Sequence, residues 1–259
     1  MNKAEERYEK IIEILKQNPI VTVNEFAEEL GVSTETIRKD LCLLAEQGKI
    51  VRIHGGAALT AESSVSSAFQ FREGVNRLQK QQIGVCASKL VKQGDSLIIE
   101  GSTTTVEFVK VLLKQPELLQ SLIIVTNSAY ILTLLEMGRL CRRVFFLGGW
   151  MNEKEQATKG QFTVAQLQNF HVDKCFLSGA ALGKNLMLSS YYEDDMLFQR
   201  QAMESAAEKI LLLEAGKYPA SAVLSVAGLE EFDTLVTNIS FEEPEARRLL
   251  ELGLQVIYA

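Results

Sequence analysis

Histidine, tryptophan and proline are scarce in these 259 residues: two, one and four copies respectively. With only His54 and His171 available, imidazole catalysis and histidine-rich metal sites have almost nothing to work with. The cysteines Cys42, Cys86, Cys141 and Cys175 are scattered and form no C-x-x-C pair. That usage predicts reduced thiols in the cytoplasm rather than disulfides or a zinc site, and no cofactor or metal is expected. Apolar runs such as RVFFLGG fall far short of the roughly 20 residues that span a bilayer, so no membrane partner is expected. The N-terminal stretch MNKAEERYEK is charged throughout and has no signal-peptide core. No G-x-x-x-x-G-K-[ST] loop is present, which argues against nucleotide hydrolysis.

The chain is long enough for a large core plus a small second domain. Its net charge of −6 at first argues against a nucleic-acid partner. Residues 1 to 59 hold 8 Lys/Arg against 10 Asp/Glu, a balance of 8 − 10 = −2. Distribution matters more than the sum, because phosphate contacts need only a local basic strip. From residue 38 to 54 the cations Arg38, Lys39, Lys49 and Arg52 meet only Asp40 and Glu46, and the other acids come earlier.

Tyr8, Ile11, Ile12 and Leu15 recur at helical spacing, which predicts a helix over 5–17 that Pro19 ends. Thr22 and Glu25 form a T-x-x-E capping box that opens a second helix, with Phe26, Ala27 and Leu30 as its apolar face. Gly31 suits the left-handed residue that closes it, and Ser33 caps a third helix over about 34–47 that buries Ile37, Leu41 and Leu44. GKIVRIHGGAAL then reads as a turn, a short strand pair and a glycine turn, the form of a wing. A plain helical bundle would also space its Ile and Leu this way. It would not need so short a second helix, or polar residues grouped at the start of the third, so DNA reading is the stronger expectation.

The stretch VTVNEFAEELGVSTETIRKDLCLLAEQGKIVRIHGGA resembles the N-terminal domain of the DeoR family of bacterial transcription regulators. The likeness runs over residues 7–57 and includes VS..TIR.DL and G...R.HGGA. It implies that Ser33, Thr34, Thr36, Arg38 and Lys39 approach operator DNA, with Arg52 and His54 on the wing. The family usually carries Arg where Lys39 stands; Lys meets a phosphate but lacks the bidentate fork.

Residues 60–79 read as a serine-rich linker with some helical content, separating a domain at 1–59 from one at 80–259. Beyond it, strand patterns at 96–100, 121–126, 143–148, 174–179, 209–214, 234–238 and 254–258 alternate with helical stretches. This predicts an α/β domain with a mainly parallel sheet, whose ligands sit at the carboxyl ends of the strands. EGSTTTVEF places Ser102, Thr103, Thr104 and Thr105 at a helix N-terminus, which favours an anion. VTNSAY repeats the form with Asn127 and Ser128. Gly148 and Gly149 let a ligand approach backbone, while the neighbouring Trp150 reads as packing. Glu214 and Lys217 add a carboxylate and an ammonium after another strand.

These loops also resemble the effector-binding half of the DeoR family, which is similar to ribose-5-phosphate isomerase and CoA-transferase-like folds. The resemblance implies a homodimeric or homotetrameric regulator, usually a repressor, that is released from DNA by a phosphorylated sugar or sugar alcohol. Four positions depart from the family. Glu100 and Ser102 stand where Asp and Gly are usual, Glu214 replaces Asp, and Ala181 replaces an Asp. The longer carboxylates reshape the pocket. A sugar-phosphate isomerase fused to a DNA-binding domain is the enzyme alternative, but the missing acid at Ala181 leaves it short of a base, and no catalytic residue is assigned. A third alternative, an adaptor that contacts protein, fits the basic wing poorly.

Overall fold

The computed structural model describes residues 3–17, 20–53, 55–58, 67–138 and 142–259, in two compact units, Met1–Val75 and Asn76–Ala259.

In the first unit α1 (Lys3–Gln17), β1 (Ile20–Thr22), α2 (Val23–Leu30) and α3 (Thr34–Glu46) precede the wing strands β2 (Val51–Ile53) and β3 (Gly56–Ala58), and α4 (Ser67–Gly74) follows. The expected caps form. The Thr22 hydroxyl accepts from Glu25 N–H while Glu25 accepts from Thr22 N–H, and Gly31 turns left-handed at φ 63°. Ile11, Leu15, Phe26, Ile37, Leu41 and Leu44 are fully buried, each contributing about 1.5–3 kcal/mol by area. The strand β1 carries no sequence signal of its own. It exists because β3 pairs with it as well as with β2, in the order β1-β3-β2. Gly56 permits the approach: a Cβ there would lie 2.3 Å from the Val21 carbonyl oxygen.

The second unit opens with α5 (Arg77–Ser88), β4 (Ser96–Ile99), α6 (Thr103–Leu112), α7 (Pro116–Ser121), β5 (Ile123–Thr126), α8 (Ala129–Gly138) and β6 (Arg143–Phe146). A hairpin of β7 (Trp150–Asn152) and β8 (Ala157–Lys159) leads to α9 (Gln161–Leu167), β9 (Val172–Ser178), β10 (Ala181–Leu182), β11 (Met187–Ser190), α10 (Glu193–Glu204) and β12 (Ala206–Leu213). The chain closes with β13 (Leu224–Gly228), β14 (Thr234–Thr237), α11 (Glu243–Glu251) and β15 (Gln255–Tyr258). Seven strands form one parallel sheet, β15-β14-β12-β9-β4-β5-β6. They are the seven that apolar patterning identifies. Central strands bury nearly every residue, whereas the edges β6 and β15 are exposed or half-buried throughout. β10, β11 and β13 make a small antiparallel sheet that no sequence pattern announced.

The strand order reverses direction at one point of the sheet. From β4 the chain adds β5 and β6 on one side, then returns to place β9, β12, β14 and β15 on the other. The crevice between the carboxyl ends of β4 and β9 is therefore the topological switch point, where open α/β sheets hold their ligands.

Candidate functional site

The first face to consider is the start of α3. Ser33 caps it, its Oγ accepting from Thr36 N–H at 3.2 Å and lying 2.8 Å from the Thr36 hydroxyl. Thr34 and Thr36 are half-buried, and Arg38 and Lys39 are exposed. Arg38 lies 3.7 Å from Glu35, but both side chains are mostly in water, so the pair holds the arginine only weakly. Arg52 reaches back from the wing and donates to the Arg38 carbonyl at 3.1 Å, with its Nη1 3.4 Å from Cys42 Sγ. The guanidinium is thereby fixed beside the helix. The apparent counter-charge, Asp40, turns away: it is buried and takes both an Nε and an Nη2 contact from Arg7 of α1. Arg38 and Arg52 thus lie side by side with Lys39 also exposed, and Asp40 is withdrawn from them, leaving exposed Glu35 as the acid beside Arg38. His54 lies outside the described residues.

The second site is the switch-point crevice. Glu100 follows β4, and its carboxylate spans to β9: Oε2 accepts from Ser178 N–H and Oε1 from Gln199 Nε2, both at 2.7 Å. Gln199 of α10 also donates to the Ser178 carbonyl at 2.8 Å. Burial pushes the Glu100 carboxyl up to about 7; the Asp195 charge adds to this, while the Ser178 and Gln199 bonds and Lys159 oppose it. Desolvation wins because neither hydrogen bond brings a formal charge. The longer carboxylate is therefore drawn inward to tie two strand ends together.

Ser102 caps α6 in a reciprocal box with Thr105, and the Thr105 hydroxyl also donates to the Glu100 carbonyl at 2.6 Å. Both hydroxyls are held by the loop's own backbone. Thr103 and Thr104 differ. They are 7% and 3% exposed, their hydroxyls have no protein partner among the described residues, and neither is sealed from outside in the way Gln199 Oε1 is. Their N–H groups belong to the first turn of a helix, which has no internal acceptors.

Asn127 staples the neighbourhood. Its Oδ1 accepts from Gly101 N–H at 2.9 Å and its Nδ2 donates to the Thr158 carbonyl at 3.1 Å, while its own carbonyl accepts from Thr158 N–H. Gly101 allows the approach, since a Cβ there would stand 3.1 Å from both Ala157 Cβ and Ser128 Cβ. Ser128 caps α8, accepting from Ile131 N–H. Gly148 exchanges hydrogen bonds with Gln166, and Gly149 leaves room for the Thr163 hydroxyl. Hydrogen bonds inside the protein thus engage the side chains of Asn127 and Ser128. Glu214 is likewise engaged, accepting from Asn76 and Gly216 N–H, and it sits with Lys217 after β12, across β9 from the threonine loop.

Three further residues of this region stand outside the site residues expected from the sequence. Lys159 ends β8 and pairs with Asp195 in the first turn of α10; both contact the charge field of Glu100, and Gln199 lies one turn further along α10. Trp150, rather than packing inside, is 54% exposed and lies against Gly160, where a Cβ would fall 2.8 Å from the indole. Among the described residues no group of three or more His, Cys, Asp or Glu is placed to hold a metal. Cys42, Cys86 and Cys175 are free thiols, and burial pushes Cys175 up to about 12; Cys141 lies outside the described residues. No helix among the described residues is long and apolar enough to cross a membrane.

Comparison with known proteins follows this division. Residues 7–63 match the model of the DeoR-like helix-turn-helix domain, and residues 75–239 that of the DeoR C terminal sensor domain. A putative aga operon transcriptional repressor of Escherichia coli O157:H7 is 28% identical over 255 residues, covering 97% of this chain and 93% of that protein. A lactose phosphotransferase system repressor of Staphylococcus aureus is 29% identical over 265 residues, covering 99% of this chain and all of its own. Among solved structures, the ribose 5-phosphate isomerase A of Methanocaldococcus jannaschii overlaps 55% of this chain and 54% of its own at TM-score 0.40 and 17% identity. With both of its units matched by these models, the chain belongs to the DeoR family of transcriptional regulators.

Proposed function

We propose that this regulator represses a sugar or sugar-alcohol operon and leaves its operator when a phosphorylated effector occupies the crevice between β4 and β9. The observation that carries the reading is the threonine loop. It offers two buried hydroxyls without protein partners among the described residues, beside the first-turn N–H groups of α6. Such a loop suits a phosphate by hydrogen bonding and by the helix dipole together. Relatives named as repressors of the aga operon and of the lactose phosphotransferase system support the sugar assignment. On the DNA side, Ser33, Thr34, Thr36, Arg38 and Lys39 would meet the operator from α3, with Arg52 and His54 on the wing. Asn127, Ser128, Gly148 and Gly149 would shape the pocket, and Glu214 and Lys217 its far edge. The functional division would follow the sequence: reader at 1–59, linker at 60–79, sensor at 80–259.

One winged unit spans too few bases for useful specificity, so a homodimer or homotetramer would bind paired half-sites. The test is salt-dependent binding of the full chain to its own promoter fragment, titrated with a panel of sugar phosphates. One compound should weaken binding while raising the melting temperature of the sensor unit; at 100 times its dissociation constant it should add about 2.7 kcal/mol. Chemical turnover of that compound would instead favour an isomerase.

A further inference from the structure

We infer that Lys159 is the counter-charge for the anion in the switch-point crevice, and that the anion takes this lysine from Asp195. The inference rests on the proposed effector site and names a residue that the site still lacks. The threonine loop itself contains no cation. Lys217 stands after β12, and β9 lies between β12 and β4; two steps across a sheet separate strands by roughly 10 Å. Lys159 is tied to that loop by the Asn127 staple, and its charge reaches Glu100 at the head of the loop. Its neighbour Thr158 bonds Asn127, Asn127 bonds Gly101, and Thr103 follows two residues later.

Lys159 is also unusual in itself. Its side chain is only 8% exposed, and its ammonium meets the Asp195 carboxylate, which is 23% exposed. An ammonium withdrawn this far from water needs a strong anionic partner. A phosphate offers more charge and more acceptor oxygens than one carboxylate. Asp195 has an alternative when displaced: it lies in the first turn of α10 and faces more solvent, where the helix dipole stabilises its charge. Exchange of partners therefore leaves neither ion stranded. Asp195 is in effect a built-in competitor that holds the lysine in place while the crevice is empty.

A purely structural salt bridge and an exchangeable one predict opposite results. The probe is inorganic phosphate, titrated into the full-length protein by calorimetry at fixed ionic strength, with sulfate as a competitor. Lys159→Gln should weaken phosphate binding about tenfold or more, the scale of one charge-assisted contact. Asp195→Asn should tighten it about three- to tenfold by removing the competitor. The double variant should bind as weakly as Lys159→Gln, and Lys159→Arg, which keeps the charge, should bind within a few-fold of wild type. Weaker binding in both single variants, or no change in either, would overturn the inference. Loss of binding in Thr103→Val with none in Lys159→Gln would reject Lys159 and leave the site standing. No phosphate binding by the wild-type protein would remove the anion site and the inference together.

Discussion

Replacing Glu100 with glutamine changes almost no volume but removes a charge from the centre of the second unit. The Glu100 carboxyl titrates at about 7 in the fold against 4.5 for the ordinary group. The gap corresponds to roughly 3 kcal/mol. Because the folded value is raised, this contribution is fully present below pH 4.5 and is lost as pH rises through 7. Glutamine does not titrate, so the stability of Glu100→Gln relative to wild type should rise by roughly 3 kcal/mol between pH 4.5 and 8. There is an opposing constant term. Ser178 N–H and Gln199 Nε2 both donate to residue 100, so the new amide must set its own N–H₂ against one of them. That mismatch should cost about 1–3 kcal/mol at every pH. The variant is therefore expected to be the weaker protein at pH 5 and to draw level near pH 8. Urea unfolding of both proteins across this range, compared as a difference, cancels the carboxylates they share. A difference that stays flat with pH would mean that water reaches Glu100, and the account of a buried carboxyl tying β4 to β9 would fail.

Other outcomes follow from the same geometry. Arg7→Met strands the buried Asp40 carboxylate and should destabilise the first unit by about 3 kcal/mol or more; Asp40→Asn leaves only the more accessible Arg7 unpaired and should cost clearly less, both read from the melting of that unit. Arg52→Met should lower affinity for operator and for random DNA alike and reduce the salt slope by about one ion, measured by fluorescence anisotropy at several salt concentrations. Asn127→Ala leaves Gly101 N–H and the Thr158 carbonyl without their partner, at about 1–3 kcal/mol each. It should lower the melting temperature of the second unit and leave DNA binding by the first unchanged.

How far the sequence reveals this molecule depends on whether the signal is local. The caps at Thr22, Gly31 and Ser33 are local, and they form as expected. So are the seven apolar strands, the central ones because a strand buried on both faces reads as a continuous hydrophobic run. Strand β1 is three residues long and takes its identity from distant β3, and the hairpin strands β7 and β8 are equally short and pair only with each other. Short pairings of that kind leave no periodicity to read. Asp40 appears in sequence as a charge opposing Arg38 and Lys39, yet a helix face is decided by packing, and Arg7 lies 33 residues away. Lys159 has no role assigned from the sequence, because the KG of ATKG reads as an ordinary polar turn. Its burial and its pairing with Asp195, 36 residues on, exist only after the sheet has assembled. Gln199 is illegible in the sequence for the same reason.

The Asn127 staple also constrains the order in which the molecule acquires its ligand site. Its two amide contacts reach 26 and 31 residues along the chain in opposite directions. Neither the loop at Gly101 nor the strand ending in Lys159 can be in position until strands β4, β5 and the hairpin have all docked. Such long-range closures come late in folding, since loop entropy must be overcome before the contact rewards it. A chain part-way to its native state therefore has helices and strand pairs but nowhere for an anion to sit. Effector binding would then act as a check on completed folding: a protease that cuts anywhere between residues 101 and 159 should be slowed by ligand all at once, rather than segment by segment.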